Sequence, residues 1–167
     1  MKDIQKVREQ LHLLKLQTFE DLEDDMSNLD DILERYRVIH KSTKVLVDIE
    51  GQNVQDVLAT HPSEFHFFIT CAGNIRAFLD YLDLLIKNKR GRKYKDIKGN
   101  TPRDLNHAAI NQLIDGHDDI FDLFSRYLKV KEVHDKFLGR VESYKQRGYT
   151  LNNLIKASET GFLGINI

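Results

Sequence analysis

Seven cations crowd one short stretch of the chain. Lys87, Lys89, Arg90, Arg92, Lys93, Lys95 and Lys98 fall within residues 87–98, against a single acid, Asp96. Lysine and arginine neutralise phosphates and release counterions, which gives affinity for nucleic acid without regard to base sequence. Tyr94 lies among them, and an aromatic ring between cations is what an unpaired base stacks on. The plainer reading of such a segment is a solvated loop or a tether between domains.

The opposite charge is also concentrated. Residues 20–34 hold eight acids and no base: Glu20, Asp21, Glu23, Asp24, Asp25, Asp30, Asp31 and Glu34. A run of this kind is either a solvated helix face, a docking surface for a partner, or an internal competitor for the basic segment. The net charge of -1 hides this asymmetry, and a near-neutral protein with a dense cationic segment still binds polyanions locally.

Catalytic arrangements are hard to find. The chain has no Gly-rich phosphate loop ending in Lys-Ser or Lys-Thr, no His-Glu-x-x-His and no pair of Glu-x-x-His motifs of the kind that di-iron bundles carry, since Glu9-x-x-His12 has no second copy. His117-Asp118-Asp119 could suggest a metal, but acids at a helix start are better explained by capping and the helix dipole. Cys71 is the lone cysteine. It excludes an intrachain disulfide and a cysteine-cluster metal site, and on an apolar stripe it reads as a buried thiol. His40 and His134 fall on apolar seams and read as packing residues, or as groups that set register or report pH. No cofactor, metal or catalytic residue is expected.

The elements that must carry these residues read as all-α. Of 167 residues, 41% are hydrophobic and 31% charged, with two prolines, Pro62 and Pro102, and no tryptophan. That composition favours long helices with solvated faces over a many-turned β fold. Ile4, Val7, Leu11 and Leu14 predict a helix over 2–16. Thr18 with Asp21 suggests a cap. A first long helix is expected over 19–59, with Phe19, Leu22, Met26, Leu29, Leu33 and Tyr36 as a heptad seam, Gly51 as a break or bend and Pro62 as the end. Ser63 would cap a helix over 64–88, whose buried stripe is Phe65, Phe68, Ile69, Ala72, Ile75, Leu79, Leu82 and Ile86.

The basic segment, which contains Gly91 and Gly99, is expected as a loop. Asp96-Ile97-Lys98-Gly99-Asn100-Thr101-Pro102 looks like the start of an ankyrin repeat, but no copy recurs. Thr101, Pro102 and Asp104 would start the next helix, broken at Gly116. The second long helix is expected over 118–146, with Ile120, Leu123, Tyr127, Val130, His134, Phe137, Val141 and Tyr144 on its seam, thickened by Phe124, Leu128 and Leu138. Gly148 should stop it, leaving a short helix over 150–158 and an apolar tail with Phe162, Leu163, Ile165 and Ile167. No apolar run approaches the ~18–20 residues of a membrane span. No basic segment leads into an apolar one at the start, so a cytoplasmic location is expected.

Near the C-terminus the residues become specific. Asp135-x-x-x-Gly139-x-Val141-x-x-Tyr144-Lys145-x-Arg147-Gly148-Tyr149-x-Leu151-x-x-Leu154 resembles the end of the UvsY-type recombination mediators of T-even-like phages. The match extends without gaps back through Asp119-Ile120. Tyr36-x-x-x-His40-x-Ser42-x-Lys44 and Ile49-Glu50-x-Gln52 resemble that family's first long helix, and Leu79-Asp80-Tyr81 is similar to its DNA-contacting neighbourhood. This chain departs from the pattern between Gln52 and Leu79, where it carries extra residues, and in greater length before Tyr36 and through the basic segment. Contact residues of the middle region therefore do not carry over one by one, and Arg76 is the nearest equivalent.

The resemblance implies a non-enzymatic homo-oligomer, in ring form, that binds single-stranded DNA. It implies a role in DNA recombination, repair and replication: exchanging a single-stranded-DNA-binding protein for a recombinase. The compartment would be the host cell cytoplasm if the chain is phage-encoded. Residues 1–117 would then be the DNA-binding region, with the basic segment and Arg76 as contacts. Residues 118–167 would be the oligomerisation region, through Ile120, Leu123, Tyr127, Val130, Phe137, Val141, Tyr144, Leu151 and Leu154. The alternative is a helical adaptor or assembly protein whose basic loop meets an acidic protein partner.

Overall fold

The computed structural model describes residues 2–50, 52–100 and 106–159. It is all-helical, with no strand among the described residues. The order is α1 (Lys2–Leu13), a 3-10 turn (Phe19–Asp21), α2 (Leu29–Ser42), a 3-10 turn (Lys44–Leu46), α3 (Val54–Asn100), α4 (His107–Asp115) and α5 (Asp118–Glu159). No helix among the described residues is long and apolar enough to cross a membrane. Two compact units result: residues 1–74 with 133–167, and residues 75–132. Their limits fall inside α3 and α5, whereas the sequence pattern suggests a boundary at 117/118.

The expected helix over 19–59 is divided. Its acidic N-terminal part does not form α-helix, because short polar side chains capture the backbone first. Asp21 accepts from Thr18 N (2.8 Å), Asp25 from Ser27 N (2.9 Å) and Asn28 from Glu23 N (3.1 Å). Met26 adopts a φ of 58° inside this knot. Helix begins only at Leu29, and Leu29, Ile32, Leu33, Tyr36 and Ile39 form its buried side. α1 stops at Leu13 rather than running on to residue 16. The Gln17 carbonyl is taken by the Tyr36 hydroxyl and by Asn74 Nδ2 (3.5 Å) instead of a helical amide.

Asn53 is the true start of α3. Its Oδ1 accepts from Gln55 N (2.8 Å) and Asp56 N (3.4 Å), two of the amides that a helix start leaves orphaned. Pro62 lies within the helix rather than ending it. Ser63 caps nothing; its hydroxyl donates to the Thr60 carbonyl (2.8 Å). The expected stripe is buried through Phe68, Ala72, Ile75, Leu79 and Leu82, with Cys71 and Phe78 beside it, while Ile69 is exposed.

The basic segment is helix, not loop. Two glycines each cost about 1 kcal/mol there, but Lys and Arg are good helix formers. Tyr94 and Ile97 also pack on a cluster of Ile110, Ile114 and Ile120. In α4 the cap is Asn106, whose side chain accepts from Ala109 N (2.9 Å). The expected start at Thr101, Pro102 and Asp104 lies outside the described residues, as do Gly51 and the apolar tail beyond 159. Gly116 does close α4. Gly148 does not close α5, which runs unbroken to Glu159. The glycine serves packing: a Cβ there would meet His61 Nε2 at 3.1 Å.

The core of the first unit is aromatic. Tyr36 meets Phe137 edge-on (5.8 Å), Phe68 lies 5.0 Å from Tyr144, and His61 stacks on Tyr144 (5.7 Å). Buried among them is Glu64, which holds Arg8 Nε (2.6 Å) and Arg147 Nη1 (2.5 Å) and accepts from the Tyr144 hydroxyl (3.0 Å). Burial pushes the Glu64 carboxyl up, but the hydrogen bonds from Arg147 and Arg8 outweigh it and hold it below the usual value.

Candidate nucleic-acid interface

Helix geometry sorts the basic residues by direction. At 100° per residue, Arg90, Lys93, Tyr94 and Ile97 share the side of α3 that packs in the second unit. These four are half-buried. Arg90 pairs with Asp115, and Lys93 and Lys89 both reach Asp119, at 3.3 and 3.5 Å. Desolvation nudges the Asp119 carboxyl up, and the two ammonium groups outweigh it and lower its pKa. Lys87 is tied to Asp83 one turn back (2.5 Å), whose hydrogen bond and charge raise the lysine's pKa.

The opposite side of the same turns is open. Arg92, Lys95 and Lys98 follow at steps of three and are exposed. Among the described residues neither Arg92 nor Lys95 has an acidic partner. Nothing lies within 4 Å of a Cβ built on Gly91 or Gly99, which share this face. Lys87 to Lys98 spans about 16 Å of axis at 1.5 Å per residue.

Two expected contacts are placed differently. The Tyr94 hydroxyl bonds His107 Nδ1 (2.6 Å), and the two rings stack at 5.5 Å, so this ring is already engaged. Lys98 Nζ stands 6.0 Å from its centroid. Arg76 lies about 16 Å along α3 from Lys87 and pairs with Asp80 at 2.9 Å. It is not brought to the cluster. The carboxylates that neutralise the inner cations, Asp115 and Asp119, carry no mark of that role in the sequence, where Asp119 reads only as a helix-start acid. No group of three or more His, Cys, Asp or Glu able to hold a metal occurs among the described residues, His117-Asp118-Asp119 included.

Of the nine positions expected to oligomerise, Ile120, Leu123, Val130, Phe137, Tyr144 and Leu151 are buried within the single chain. Tyr127, Val141 and Leu154 are half-buried. The apolar residues α5 leaves exposed are others: Phe121 (67%), Phe124 (51%), Leu128 (50%), Leu138 (46%) and Tyr149 (64%).

No family model, no curated protein and no solved structure matches this chain.

Proposed function

We propose that this chain binds single-stranded nucleic acid on the open face of α3 formed by Arg92, Lys95 and Lys98, flanked by Lys87 and Lys89. In this reading it is a non-catalytic recombination mediator. It holds a strand as a homo-oligomer and helps a recombinase replace a single-stranded-DNA-binding protein. The observation that carries the reading is the row of solvated cations, on a side of the helix that glycines keep clear. The likeness of residues 119–154 to the UvsY-type mediators supplies the biological role.

The test is a salt-titrated binding assay with labelled oligo-dT. Changing Arg92, Lys95 and Lys98 to Ala should weaken binding to every sequence alike. The salt slope should fall by about 0.7 for each phosphate that is no longer neutralised. Helix content should hold, because these side chains stand in solvent. An unchanged slope would place the strand elsewhere.

The pairing of Lys89, Arg90 and Lys93 with Asp115 and Asp119 favours one second reading. This helix end already selects carboxylates, so an adaptor that meets an acidic protein surface uses the same chemistry. Absence of oligo-dT binding at low salt decides for it.

A further inference from the structure

α1 is fastened to the first unit at few points. Among its described side chains only Leu11 is buried, with Ile4 and Val7 half-buried. Arg8 is the polar anchor: its Nε donates to Glu64 Oε1 (2.6 Å) and its Nη2 to Gln52 Oε1 (2.9 Å). Packing around that anchor is incomplete. Arg8 borders three hollows of about 60, 50 and 280 Å³ between α1 and the first turns of α3, space that a settled helix contact fills. Arg8 also leaves at little electrostatic cost. Without it Glu64 keeps Arg147 Nη1 (2.5 Å) and the Tyr144 hydroxyl (3.0 Å), one carboxylate for one guanidinium. No buried charge is stranded, and Arg8 returns to water.

The segment that follows is poised to straighten. Leu14, Lys15 and Leu16 are good helix formers, yet helix stops at Leu13 and residues 14–18 are irregular. The last turn closes with a tight bond from Leu14 N to the Leu11 carbonyl (3.3 Å). Leu13 and Leu14 are left 84% and 40% exposed. Beyond them the chain is pinned again, where the Gln17 carbonyl accepts from the Tyr36 hydroxyl and from Asn74. The bend at 14–16 lets α1 lie on the Glu64 of its own chain. A straight helix through Leu16 would gain backbone hydrogen bonds and carry α1 off its own body. Short hinges in which local preference and fold disagree invite exchange of an element between copies.

We propose that α1 is an exchangeable arm, which in the assembled protein sits against Glu64 and Gln52 of a second copy. The occupant follows from what the socket asks for. Arg8 and Leu11 stand three apart on one side of a helix, and the socket takes a guanidinium at Glu64 with an aliphatic side chain beside it. The α1 of another copy meets both demands, because a swap reuses the contact the single chain already makes. Inside an assembly the neighbour's arm is present at high effective concentration, and on dissociation each arm returns to its own chain. This exchange rests on the chain being a homo-oligomer, and it ties together neighbours that another surface first joins.

The experiment uses the full chain with Gln5→Cys and Asp56→Cys, two exposed positions that border the same hollows. A short bis-maleimide bridges the pair, and Cys71 is buried away from it. Light scattering sizes the protein before linking, and denaturing electrophoresis then shows which chains are joined. Assembled protein should yield covalently joined chains. The same protein diluted to monomers should yield links within one chain. Each single-cysteine variant should join none, which separates exchange from chance proximity of copies. Adding Lys15→Pro forbids helix through the hinge. It should leave the assembly in place and abolish the joined chains. If assembled protein is linked only within single chains, or if Lys15→Pro or a single-cysteine variant joins chains as the pair does, the exchange is wrong and the oligomer stands. If only monomers form at every concentration, both fall.

Discussion

Glu64 is where a single residue holds most. Its two ion pairs join positions 56 and 83 residues away, so no local pattern marks it in the sequence. Cys71, by contrast, is legible there: a lone thiol on an apolar stripe, and it is fully buried. Because the Glu64 carboxyl titrates below its ordinary value of 4.5 in the folded chain, its stabilisation is complete above that pH. It is lost as pH falls through the folded value. Glu64→Gln should destabilise the protein by roughly 3–5 kcal/mol at pH 7, since Arg147 is left buried without its counter-charge. Urea unfolding at pH 7 and pH 3 checks this. The gap between parent and variant should narrow at the lower pH; a constant gap would mean that the ion pairs contribute nothing titratable.

At the scale of elements, helix type is legible in the sequence and helix ends are not. The buried side of α3 from Phe68 to Leu82 follows from spacing alone. Its start does not, because Pro62 reads as a stop while the quieter Asn53-x-x-Asp56 pattern supplies the cap. Glycine misleads twice. Gly91 and Gly99 sit in helix because tertiary contacts of Tyr94 and Ile97 outweigh their propensity cost. Gly148 sits in helix because His61 needs the room. This yields a comparison. Gly139, exposed and with nothing within 4 Å of an added Cβ, should gain about 0.5–1 kcal/mol on change to Ala. Gly148→Ala should gain less, since His61 must shift. Thermal melts should rank Gly139→Ala above both the parent and Gly148→Ala. Equal gains at the two sites would refute the packing role of Gly148.

Across the whole molecule, the proposed self-association has to use a surface that folding leaves free. The seam that reads as an interface in the sequence is largely consumed by the chain's own core, because heptad spacing marks any buried helix side and does not name the partner. Deleting α5 is therefore a poor test, as it would remove Phe137, Tyr144 and Leu151 from the core of the first unit. Phe121, Phe124 and Leu128 form an exposed apolar row at steps of three and four. Changing all three to Glu should reduce the assembly to monomers in light scattering while the circular dichroism spectrum stays helical. Persistence of the larger species would move the interface off this face of α5.

The sealed position of Cys71 gives the protein a built-in clock. Burial pushes its thiol up to about 12, and alkylating reagents attack the thiolate. In the native chain a maleimide has nothing to react with until the first unit opens. Labelling kinetics, read by mass, therefore count the opening events of that unit. They do so without an introduced tag, because no second thiol competes for the reagent.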